Sequence, residues 1–127
     1  MTENEIGTIC IAAAIDLHRE LGPGLLESVY EVVLAHELGQ RGLQVERQVP
    51  ISIFYKGIRF EQAFRADLLV GGKIIIELKS VELISRAHRK QIQTYLRLTD
   101  LKLGYLFNFG AALMKEGIVR AVNRLEE

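Results

Sequence analysis

The sequence predicts an α/β domain in which a mixed sheet is flanked by helices, and three observations lead there. Apolar residues recur at helical spacing before Gly42 and with a period of two after it. A dense apolar run, Ile74-Ile75-Ile76, has the composition of a strand buried on both faces. A further helical segment then separates that run from two more strand-like segments. The predicted order is helix, helix, three strands, helix, strand, strand. With 127 residues, 49% of them hydrophobic, the chain fits one domain over residues 1–127 with one continuous core.

Each element has its own justification. Ile6, Ile9, Cys10, Ala13, Leu17 and Leu21 form the stripe of a first helix, and Gly22-Pro23-Gly24 ends it. Val29, Tyr30, Val33, Leu34 and Leu38 mark a second helix from about Leu26 to Gln40, with Glu27 in the first turn, where the helix dipole favours a carboxylate. Val45, Val49, Ile51 and Ile53 alternate along a strand from Gln44 to Tyr55, and Pro50 makes it an edge strand. Tyr55-Lys56-Gly57-Ile58 reads as a hairpin turn into Ile58 to Val70, and Gly71-Gly72 connects that strand to Lys73 to Val81. Ser85 is the expected cap of a helix from Arg86 to Thr99, although His88 is not the Glu or Gln of a capping box. Lys102 to Phe109 and Gly117 to Val122 complete the strands.

Composition narrows the function classes. Sixteen Lys plus Arg balance sixteen Asp plus Glu, and the one cysteine, Cys10, leaves no intramolecular disulfide or cysteine-rich zinc site; a reduced, cytoplasmic setting is expected. No apolar run is long enough to span a bilayer, and Met1-Thr2-Glu3-Asn4-Glu5 lacks the basic start of a secretory signal, so membrane and export readings are set aside. The charge is uneven. Residues 1–37 carry seven acids and one base, whereas Lys79 to Lys102 holds six bases against two acids, so a polyanion would meet this second stretch first. His18 and His36 are expected at or near the surface, Tyr30 in the core with its hydroxyl bonded, and Asn108 satisfying backbone groups.

The chemistry centres on Glu77-Leu78-Lys79. Strand alternation puts Glu77 and Lys79 on one face and Ile74, Ile76 and Leu78 on the other. A Glu–Lys ion pair is the simplest account of that strand alone, but Asp67 also interrupts an apolar run in the neighbouring strand. A two-residue loop at Gly71-Gly72 would pair Val70 with Lys73 and send Asp67 to the far face; a three-residue loop would pair Val70 with Ile74 and put Asp67 opposite Glu77. The second register is adopted, since it gathers the charges into one site. Two carboxylates side by side repel, and Mg²⁺ or Mn²⁺ would relieve them while activating a water for phosphodiester displacement, with Lys79 orienting that water or neutralising the phosphate.

Asp67 followed by Glu77-Leu78-Lys79 resembles the D…(D/E)xK signature of the PD-(D/E)xK nuclease superfamily, with Ala66 where the superfamily name has a proline. Gly24-Leu25-Leu26-Glu27-Ser28-Val29-Tyr30 has the form GxxExxY and resembles the motif of the GxxExxY protein family within it. The resemblance implies a restriction-endonuclease-like core and a metal-dependent nuclease. It implies Asp67, Glu77, Glu27 and the Leu78 carbonyl as metal ligands and Lys79 as the catalytic lysine. Gln91 and Tyr95 resemble a QxxxY pair that supports the site; Arg86, Arg89 and Lys90 are candidate phosphate contacts, and so is His88, for which a structural hydrogen bond is an alternative of at least equal weight. Nucleic acid is the expected partner, DNA before RNA, and a homodimer is expected by the frequency of cyclic pairs. The alternative is a non-catalytic nucleic-acid-binding or protein-interaction module that keeps the nuclease fold; the neutral net charge slightly favours its protein-interaction version, and intact Asp67, Glu77 and Lys79 favour the enzyme.

Overall fold

A computed structural model describes residues 1–126; Glu127, where the expected domain ends, lies outside the described residues. Two helices, α1 (Glu3–Leu21) and α2 (Glu27–Gln40), precede three strands, β1 (Val45–Tyr55), β2 (Ile58–Val70) and β3 (Ile74–Lys79). Helix α3 (Arg86–Thr99), strand β4 (Leu103–Asn108), a 3₁₀ turn (Met114–Gly117) and strand β5 (Ile118–Val122) follow. The order is the one predicted, although β3 is shorter at both ends than expected. The five strands lie in chain order across one sheet. Only β3 and β4 run parallel, joined through α3, while the other neighbours are antiparallel.

Burial follows this topology. Every residue of β4 is buried, as is all of β3 except Lys79, because helices cover both faces of the sheet centre. Ile74, Ile76 and Leu78 pack with Ile6, Cys10 and Leu17 of α1 and with Tyr30, Leu34 and Leu38 of α2. Ile75 packs on the other side against Ile92 and Leu96 of α3. Tyr30 stacks on Phe109 with ring centroids 4.4 Å apart. As the proline predicts, β1 is an edge strand. The distal β1–β2 hairpin stands clear of the core, with Phe54 70% and Tyr55 59% exposed.

Three expectations are corrected. His18 is buried, its Nε2 2.9 Å from the Ala111 carbonyl, because the chain after β4 returns over the end of α1. His88 does complete a capping box: it donates its N–H to Ser85 Oγ and accepts the Ser85 N–H at Nδ1, so an imidazole nitrogen fills the role of the Glu carboxylate. The alternation of β1 also breaks. Val45 packs with the α1/α2 core and Val49 with the α3 core, although an even spacing should keep both on one face. The switch falls at Gln48, whose φ of 51° lies in the left-handed region.

Candidate functional site

The turn between β2 and β3 sets the geometry of the site. Gly71 and Gly72 both take positive φ, 61° and 66°, and with Lys73 they form a three-residue loop whose Lys73 N–H donates to the Val70 carbonyl. Val70 therefore pairs with Ile74, Leu69 with Ile75 and Leu68 with Ile76. The next position in that register sets Asp67 opposite Glu77. There the ladder stops and the side chains replace it: the Asp67 N–H donates to Glu77 Oε2 at 2.7 Å, and the Leu78 N–H donates to Asp67 Oδ2 at 2.8 Å.

This crossed arrangement fixes two carboxylates against each other in a half-dry setting. Burial, then the neighbouring Asp67 charge, push Glu77 up to about 8, against the opposing pull of the Asp67 N–H and Lys79. Asp67 is raised as well, first by burial, with the Leu78 N–H and Lys79 acting the other way. The pair thus retains a proton near neutral pH. Lys79, half-buried, alternates with Glu77 on the α3 face.

Helix α3 closes that face. The Tyr95 hydroxyl is raised by burial and by the charges of Glu77 and Asp67, and the Gln91 side chain lies within hydrogen-bonding reach of it. The Tyr95 ring stacks on Phe64 of β2, centroids 3.7 Å apart. His88 is engaged in its cap, and Arg86, Arg89 and Lys90 stand exposed on the first turns of α3. Arg89 lines a separate cleft with Glu82 and Glu116.

The segment from Gly24 to Tyr30 clamps α2 onto the end of β3. Gly24 takes φ 97°, and the Tyr30 hydroxyl ties the turn by donating to the Gly22 carbonyl and accepting the Leu25 N–H at 3.1 Å. Ser80, just past β3, donates its hydroxyl to the Leu25 carbonyl and its N–H to Glu27 Oε2 at 3.2 Å. Glu27 therefore reaches the β3 terminus from the first turn of α2. Asn108 holds the other side as expected: its amide donates to the Val81 carbonyl, and its Oδ1 accepts the N–H groups of Val81 and Gly110.

Sequence reasoning missed a second layer. Glu31, one turn beyond Glu27, is buried; Arg47 donates to its Oε2 through Nε at 3.1 Å and Nη2 at 3.0 Å, and Gln48 donates to its Oε1. Gln48 Nε2 also approaches Asp67 Oδ1 at 3.4 Å. These residues line a cleft of about 390 Å³ with Glu27, Ser28, Asp67 and Leu78. The signal available in the sequence was the Glu27, Glu31 spacing of four, which puts both acids on one helix face.

The donor chemistry fits a hard divalent cation. Among the described residues no backbone N–H donates to Asp67 Oδ1 or Glu77 Oε1, and a cation would displace the proton that burial, with the neighbouring negative charge, favours on this pair. Among the described residues no three His, Cys, Asp or Glu side chains converge closely enough to hold an ion together. Two carboxylates are what Mg²⁺ typically takes from a protein, with water and phosphate oxygens completing its shell.

A family model for the PD-(D/E)XK nuclease superfamily matches residues 4–121. Among solved structures, the crystal structure of SSO0001 aligns with a TM-score of 0.50 and 24% identity, over 79% of this chain and 52% of the other. The chain spans about half the length of that protein, and the likeness concerns the fold: a five-stranded mixed sheet flanked by helices, consistent with a restriction-endonuclease-like architecture. No curated protein matches.

Proposed function

We propose, for a chain that belongs to the PD-(D/E)XK nuclease superfamily, the hydrolysis of phosphodiester bonds in nucleic acid with Mg²⁺ or Mn²⁺ held by Asp67 and Glu77. The observation that carries this reading is the crossed pair at the end of the β2–β3 ladder, two carboxylates with raised proton affinity and Lys79 on the same face.

When bound, the cation stabilises charge on the phosphate and makes a water more acidic. The chain's own residues do the rest. The Leu78 and Asp67 N–H groups hold the two carboxylates by one oxygen each, which aims the other oxygens. Lys79 supplies positive charge for the developing negative charge of the phosphate, or orients the attacking water. Gln91 and Tyr95 wall the α3 side, and the Leu78 carbonyl joins Asp67 and Glu77 as a ligand in this reading, while Glu27, holding the Ser80 N–H at the end of β3, lines the same cleft without converging on them. Arg86, Arg89 and Lys90 are the outlying phosphate contacts, and His88 positions the start of their helix through its cap.

Membership of the GxxExxY branch belongs to the same proposal, supported by the way Gly24, Glu27 and Tyr30 fasten α2 to the end of β3. So do a single domain over the whole chain, a cytoplasmic setting and DNA as the substrate. Among the described residues no helix is long and apolar enough to cross a membrane. A homodimer is supported by the exposed apolar hairpin residues Phe54, Tyr55, Ile58 and Phe60. The deciding experiment incubates purified protein with labelled single- and double-stranded DNA and RNA in Mg²⁺, Mn²⁺ or chelator. Metal-dependent cleavage that Glu77→Gln abolishes is expected. Metal-independent binding without cleavage would leave the non-catalytic module.

A further inference from the structure

We propose that Gln48 is a positioning residue for Asp67, anchored through buried Glu31 and Arg47, so that the aim of the cation-binding pair is set from the edge strand of the sheet. The inference rests on the reading of Asp67 as a ligand, but its geometry does not.

The first observation is conformational. Gln48 holds φ 51° in the middle of a strand, a strained region that residues other than Gly, Asn and Asp seldom enter. Its neighbours stay in the ladder, Arg47 paired with Leu68 and Val49 with Ala66. That register sets Gln48 opposite Asp67. Both strands change face there: Val45 and Leu68 pack with the α1/α2 core, Val49 and Ala66 with the α3 core. The distortion therefore delivers Asp67 to the boundary between the two faces, where α2 and the end of β3 meet.

The second observation is chemical. The Gln48 amide group donates to both Glu31 and Asp67, which fixes which end of the amide faces the carboxylates. Glu31 Oε1 and Asp67 Oδ1, the latter at 3.4 Å, share the same amide nitrogen, so one amide group bridges the buried support and the carboxylate at the site. Glu31 is itself immobilised, being buried and taking two Arg47 donors on its other oxygen. With Leu78 N–H on Asp67 Oδ2, both oxygens of the carboxylate are steered from different strands. Glu31 is already committed on both oxygens, which places it behind the site as a support.

Gln48→Gly separates the backbone from the side chain, because glycine accepts the left-handed φ without strain while removing the amide. The protein should remain folded, because the relief of backbone strain offsets part of the lost bond to buried Glu31. Two readouts follow in that variant. Without metal, hydrogen exchange of the Leu78 amide, which reports on Asp67, should accelerate about tenfold or more while β4 amides keep their protection. With metal, Mn²⁺ affinity by calorimetry should fall about 10- to 100-fold, the usual effect of losing a supporting partner. Gln48→Asn, which tolerates the same φ but is one methylene too short to bridge, should behave alike and serves if the glycine variant does not fold. An unchanged Leu78 exchange rate, or unchanged Mn²⁺ affinity where wild type binds, overturns the proposal. Wild type that binds no Mn²⁺ would refute the metal reading instead, and Leu78 exchange alone would then decide the role of Gln48.

Discussion

Glu77→Gln should stabilise the metal-free protein at pH 8 while removing its metal affinity. In the folded state burial and Asp67 hold the Glu77 proton up to about 8, whereas the unfolded carboxyl titrates near 4.5. Below pH 4.5 both states are protonated and the group is neutral to folding. Between 4.5 and 8 the unfolded state releases the proton first, so stability falls as pH rises. At about 1.4 kcal/mol per pH unit, the displacement is worth on the order of 5 kcal/mol by pH 8, a large fraction of an ordinary domain's stability. Glutamine keeps an acceptor for the Asp67 N–H and has no proton to lose, so most of that loss should vanish. Urea denaturation in chelator at pH 5 and pH 8 measures it. The variant should match wild type within about 1 kcal/mol at pH 5 and exceed it by several at pH 8. Equal differences at the two pH values would refute the assignment of a raised Glu77.

In Lys79→Ala, cleavage should fall by about 10²–10⁴-fold with nucleic-acid affinity little changed, measured by single-turnover kinetics beside a binding titration. Mn²⁺ affinity should rise with pH up to about 8, about tenfold per pH unit where one proton is displaced, because cation and proton compete for the Asp67–Glu77 pair; calorimetry in buffers of different ionisation heat should show the released proton. Asn108→Ala leaves the Val81 N–H and carbonyl and the Gly110 N–H without their partner and should cost about 2–4 kcal/mol in urea denaturation, whatever the metal.

The elements were legible because their signals are local. The Ile74 to Leu78 run announced a strand covered on both sides, and β3 is buried from Ile74 through Leu78. The Gly71-Gly72 pair left two registers open, and what chose between them, the third loop residue Lys73, is a turn geometry that composition does not encode. His18 could not be placed because its cover, the loop at Ala111, lies far along the chain. The structural hydrogen bond open to His88 is present, but as a capping box that sequence rules exclude: those rules describe carboxylates and amides, while an imidazole nitrogen meets the same geometric need.

The supporting layer was invisible for a deeper reason. Glu31 stood in the sequence as one acid among many on an acidic helix, and Gln48 as an ordinary polar residue on an edge strand. Neither shows its role until the strand twists. In a regular β1, Gln48 and Asp67 would continue the alternation, and Val49 would lie on the same face as Val45. The left-handed step at Gln48 breaks the two-residue period, so a reading based on that period assigns the faces wrongly where the site is. Functional sites gather where local rules fail, because a carboxylate at the boundary of two faces must leave the pattern of both. The departure from alternation is therefore itself a locator: in this chain it falls opposite Asp67, at the position where the β2–β3 ladder gives way to carboxylates.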